Sequence, residues 1–196
     1  MEARMTAQLA NLEAIVAALT KGPRHRADEI PTVENEGIYA LFINDLSVLP
    51  CLAVDESNLL YIGMSESSLN ERNHFFHTDS SFSSPRRSLG ALLKKSSRLH
   101  LEALPRRSGV RARGISRKDI SNYRFDEKGE TDLTVWMRQN LTYTNVGLDE
   151  DIRQTEASLI RLLNPPLNLT LSKNESRFVV RLARKECRDQ AKARCS

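Results

Sequence analysis

Two tripeptides constrain this chain more than anything else in it. Gly37-Ile38-Tyr39 and Tyr61-Ile62-Gly63 each sit in a short apolar run, over residues 38–43 and 59–62. The connector between the runs carries Pro50, Asp55 and Asn58, residues suited to turns. Strands joined in this way lie side by side and antiparallel, which brings the phenols of Tyr39 and Tyr61 together. Leu69-Asn70-Glu71-Arg72 and then His77 follow shortly after. Two phenols, a guanidinium and an imidazole near one another bind a phosphate and handle a proton beside it.

A length of 196 residues with 40% hydrophobic content suits a single globular domain with short extensions. Net charge is only +4, but it is unevenly spread. Residues 86–118 hold eleven basic side chains against one acid, Glu102, and residues 173–196 hold eight against three. This excess points to a polyanionic partner; two solvated surfaces with scattered counter-charges are the bland alternative. Cys51, Cys187 and Cys195 form an odd set with no C-x-x-C spacing, which suits a reduced cytoplasm. The apolar stretch 14–19 has Glu2 and Glu13 before it and reads as part of an amphipathic helix, not a leader. No run approaches membrane-spanning length, so no membrane partner is expected.

Helical spacing predicts a first helix over 5–20, closed by Lys21-Gly22-Pro23. After the second strand, Ser65 to Ser68 offer caps for a helix of about two turns through Arg72 and His77. Residues 78–88 look like a loop, with Ser88 capping a helix from Leu89 to about Lys95. The basic stretch 102–117, broken by Pro105, Gly109 and Gly114, is expected to be irregular or a small hairpin. A short helix with Leu133, Trp136, Met137 and Leu141, a strand over 141–148 and a strong helix over 151–163 follow, the last stopped by Pro165-Pro166. Residues 174–194 return to helical spacing through Phe178, Leu182 and Ala183.

These pieces together resemble the GIY-YIG nuclease superfamily: the two tripeptides, Arg72, a histidine after it, Glu156 on a helix, and Asn168 closing Pro165-Pro166-Leu167-Asn168. The layout looks like that of the superfamily's restriction-endonuclease members, which carry a long insertion. The resemblance implies an α+β fold with a small central antiparallel sheet of about three strands flanked by helices. It implies a helix over 1–22, a nuclease domain over 23–170 with a basic insertion at 78–131, and a basic C-terminal helix over 171–196. It also implies phosphodiester hydrolysis with one divalent cation, Mg²⁺ or Mn²⁺, on DNA that is expected to be double-stranded.

Glu156 sits beside the apolar positions Leu159, Ile160 and Leu163, where a carboxylate either reaches solvent or holds a cation. Mg²⁺ takes few protein carboxylates, so one acid is sufficient in principle. The resemblance makes Glu156 the metal ligand, Tyr39 the base or relay, and Tyr61 a donor to the scissile phosphate. Arg72 supplies a permanent cation with a donor fork to the charge that develops at phosphorus. Family members place the histidine four positions after the arginine, where this chain has Phe76. His77 is preferred over His74, and the identity of the general base stays open between Tyr39 and His77. Gly37, Gly63 and Asn168 are supporting residues, with Asn168 either fixing strand and loop or bonding near the site. Ser83, Ser84, Arg86 and Arg87 are expected to hold the phosphate backbone, and Arg106, Arg107, Arg111 and Arg113 to enter a groove. Restriction, repair and mobile-element roles stay open. So does a binding module that kept the scaffold without turnover. The first helix serves either as a homodimer contact or as packing on its own domain.

Overall fold

The computed structural model describes residues 2–69, 74, 75, 77–106, 117–148 and 151–194. In chain order the elements are α1 (Glu2–Lys21), β1 (Gly37–Ile43), β2 (Leu59–Ser65), α2 (Ser84–Lys95), β3 (Ala103–Leu104), α3 (Arg117–Ser121), β4 (Arg124–Phe125), α4 (Glu127–Asn140), β5 (Leu141–Gly147), α5 (Ile152–Leu163) and α6 (Arg177–Ala193). The chain forms two compact units, residues 1–73 with 140–177 and residues 74–139 with 178–196.

The first unit is built on a three-stranded antiparallel sheet in the order β2-β1-β5, the α+β architecture expected. β1 lies in the middle and is buried at every position, which is why its sequence is an unbroken apolar run and not an alternating one. Ile38, Ala40 and Phe42 of β1 and Leu59 and Ile62 of β2 form one core with Ile15 and Leu19 of α1 and Ile152, Leu159 and Ile160 of α5. Each of the larger side chains among them contributes about 1.5–3 kcal/mol by leaving water. The spacing Ile152, Leu159, Ile160 keeps one face of α5 on the sheet. α5 ends at Asn164, which adopts the left-handed conformation (φ 51°) and accepts hydrogen bonds from Ser172 Oγ (2.9 Å) and the Lys173 N–H (2.6 Å). The helix has therefore already stopped one residue before the two prolines.

The second unit gathers α2, α4 and α6 with the short antiparallel pair β3-β4. α2 begins well before the position expected from sequence. Ser83 is its N-cap, accepting from the Arg86 N–H at 3.3 Å, and Pro85 occupies its first turn, where no N–H is needed. Ser80–Phe82 form a 3₁₀ turn ahead of it, so only part of 78–88 is loop. The helix expected through Arg72 and His77 falls largely on residues 70–73 and 76, which lie outside those described. α6 also differs from expectation. Its buried residues are the small Val180, Ala183, Cys187 and Ala191, whereas Phe178 and Leu182 are 76% and 40% exposed. Arg184 of α6 donates to the hydroxyls of Ser84 and Ser88 on α2, each at 3.3 Å.

Candidate active site

The register of the sheet arranges the aromatic residues. Tyr39 stands opposite Gly63 on one side and Asn145 on the other, while Leu41 stands opposite Tyr61 and Tyr143. Residues opposite one another across antiparallel strands share a face, so Tyr39, Tyr61 and Tyr143 all occupy the face away from Ile38, Ala40 and Phe42. Their rings touch across the strands. The Tyr39 ring centroid lies 6.1 Å from that of Tyr61 at 39°, and 5.8 Å from that of Tyr143 at 14°. Tyr39 and Tyr143 are buried, and Tyr61 is half-buried.

This arrangement explains both glycines. A Cβ at Gly63 would run into the ring and hydroxyl of Tyr39, which lies across it. A Cβ at Gly37 would strike the Val146 carbonyl and press on Leu69. One glycine admits an aromatic ring, and the other admits the neighbouring strand.

Asn168 clamps the middle of the second tripeptide. Its Oδ1 accepts from the Ile62 N–H at 2.9 Å and its Nδ2 donates to the Ile62 carbonyl at 2.7 Å. Of the two roles open to it from sequence, the structure displays the one that fixes strand and loop.

Tyr143 and Asn145 carry no motif that singles them out in the sequence, although alternation along β5 puts both on the phenol face. Burial pushes the Tyr143 phenol up to about 12, so it remains a proton donor near neutral pH. Asn145 lies near enough to oppose this slightly, but no hydrogen bond of good geometry links its buried Nδ2 to a described group. A buried amide N–H in that condition marks a place where a ligand oxygen or water would be favoured.

Glu156 is half-buried on α5, on the stripe that carries Ile152, Leu159 and Ile160, and those three pack on Ile38, Ala40 and Phe42, the sheet face opposite the phenols. α5 packs mainly beside β2, the edge strand that carries Tyr61 and Gly63. Among the described residues no three His, Cys, Asp or Glu side chains gather as a metal cage. A structural zinc site needs four nitrogen or sulfur ligands, whereas a hard cation that keeps most of its waters needs one or two carboxylates. A single glutamate suits the second kind.

Arg72 lies outside the described residues, as do Arg107, Arg111 and Arg113. His74 and His77 belong to the second unit, with ring centroids 5.4 Å apart. His74 is buried with its Nδ1 2.9 Å from Ser83 Oγ, and His77 is half-buried.

The backbone-gripping role expected of Ser83, Arg86 and Arg87 is corrected here, because all three are buried and engaged inside the second unit. Arg86 is fully buried and donates to Glu130 Oε2 at 2.8 Å, to the Glu130 carbonyl at 3.2 Å and to the His74 carbonyl at 3.2 Å. Glu130 also accepts from the N–H and hydroxyl of Ser80, both at 2.8 Å, and from the Phe125 N–H at 3.0 Å. Arg87 donates to the carbonyls of Ser80 and Ser81. Ser84 is partly buried beside Arg184. Arg106 is half-buried, with its guanidinium 4.4 Å from the ring centroid of the exposed Phe82.

The GIY-YIG catalytic domain model matches residues 37–190, from the first residue of β1 into the last turns of α6. The chain belongs to the GIY-YIG nuclease superfamily. No curated protein and no solved structure matches it. Among the described residues no helix is long and apolar enough to cross a membrane.

Proposed function

We infer that this protein is a DNA endonuclease that uses Mg²⁺ or Mn²⁺ to hydrolyse phosphodiester bonds, with a restriction-type role the first to test. The observation that carries the reading is the cluster of three phenols on one sheet face, with the Tyr39 ring lying across Gly63. Tyr61, the most exposed of the three, donates its hydroxyl to a non-bridging oxygen of the scissile phosphate. Tyr39 orients the attacking water and passes on its proton, with Tyr143 stacked behind it as a protonated support. Arg72 presents its fork to the charge that builds at phosphorus, where a preorganised donor is worth most. Glu156 holds the cation, which when bound supplies Lewis acidity and eases deprotonation of water. The basic side chains of α6 and the 106–113 segment bind the DNA backbone, a contact that weakens with salt.

Incubating the protein with supercoiled plasmid in Mg²⁺, and in parallel with EDTA, tests this reading. Metal-dependent nicking is expected. A salt-sensitive gel shift with no cutting in either condition would replace the endonuclease reading with that of a binding module on the same scaffold.

A further inference from the structure

Past the end of α1, Gly22 and Pro23 turn the chain back along the outer edge of β5. There His25 forms an isolated antiparallel bridge with Tyr143. Its N–H donates to the Tyr143 carbonyl at 2.8 Å, and the Tyr143 N–H donates to the His25 carbonyl at 2.9 Å. Residues that exchange both bonds stand directly opposite one another and project to the same face. His25 therefore extends the row Tyr61, Leu41, Tyr143 by one position. Its neighbour gives an independent check. Arg24 places its guanidinium 4.1 Å from the ring centroid of Phe42, which belongs to the core on the opposite face. Side chains of an extended segment alternate, so His25 points to the phenol side.

The His25 ring is half-buried and makes no hydrogen bond to any described group. The bridge that anchors this segment is made by backbone atoms, so the fold does not need the imidazole. A half-open ring with an N–H donor thus borders the face on which the substrate phosphate is placed. We propose that His25 is a further substrate-contacting residue, its imidazole N–H donating to a phosphate oxygen of the nucleic-acid strand laid across the three phenols. The proposal rests on the endonuclease reading, and His25 lies ahead of the 37–190 region that the family model covers.

NMR of the imidazole nitrogens of the full-length protein, titrated with a short DNA duplex in EDTA, reads this contact directly, with His25→Gln assigning the signal. The His25 signals are expected to move saturably. His25→Ala is expected to weaken duplex binding about tenfold, the loss of one charge-assisted hydrogen bond. His25→Gln, which keeps an N–H donor at similar reach, should recover most of that loss. Both variants should unfold at the wild-type midpoint. Unmoved ring signals together with wild-type affinity in His25→Ala would overturn the proposal. The plasmid assay in Mg²⁺ separates the two readings. Cutting with unmoved His25 signals overturns the His25 contact alone. Moved signals without cutting uphold the contact and overturn the endonuclease reading, and neither cutting nor movement overturns both.

Discussion

Tyr39 and Tyr143 lie nearly parallel on neighbouring strands, their ring centroids 5.8 Å apart and their planes 14° from alignment. A buried pair of this kind is worth about 0.5–1.5 kcal/mol beyond the area it covers. Tyr143 also makes the stability of the first unit depend on alkaline pH. Burial pushes Tyr143 up to about 12 from its ordinary 10.0, so between those pH values the folded chain keeps a proton that the unfolded chain has lost. Stability from this source is intact below pH 10 and falls as pH rises toward 12, by up to about 2 kcal/mol. Tyr143→Phe removes that dependence. Its unfolding free energy should decline less between neutral pH and pH about 11 than the wild type's. Equal declines in paired denaturant titrations would contradict the assignment.

The Tyr39 ring fills the space above Gly63, so Gly63→Ala must displace one or the other. A cost of about 1–3 kcal/mol is expected, as for other overpacked positions. Cleavage should fall with it, since the displaced group is the one proposed to orient water. Thermal unfolding of Gly63→Ala at the wild-type midpoint would show that the ring does not occupy that space.

Arg86 and Glu130 form a buried ion pair at 2.8 Å whose carboxylate also holds Ser80 and Phe125. Arg86→Ala leaves that carboxylate buried and uncompensated, a loss of about 3–5 kcal/mol. Arg86→Lys should also destabilise, because one ammonium cannot reach the two carbonyls and the carboxylate that the guanidinium spans. Denaturant unfolding of both variants checks this. Wild-type stability in Arg86→Ala would contradict the structural role and return the residue to the DNA surface.

What can be read from the chain alone, and what cannot, follows from where each signal lies. The strands of the two tripeptides are short apolar runs joined by turn residues, and α5 carries helical periodicity, so all three elements and the strand pairing are legible. Tyr143 is within reach, since alternation along β5 places it on the Tyr39 face, but no motif draws notice to it. The start of α2 is hidden because Ser83-Ser84-Pro85-Arg86-Arg87 reads as a polar loop, although a serine cap followed by proline is also how a helix begins. Arg86 reads as surface charge because the acid that neutralises it, Glu130, is distant in sequence. On α6 the large residues suggest the buried face, whereas the helix buries small ones.

The central proposal is that one carboxylate, Glu156, holds the cation. It is tested most directly by the single-turnover rate at which Glu156→Gln cleaves duplex DNA in Mg²⁺. Cleavage is expected to fall by at least about a hundredfold, in the range lost when an electrostatic contributor to a transition state is removed, while DNA affinity is kept. Cleavage at the wild-type rate by Glu156→Gln would contradict it.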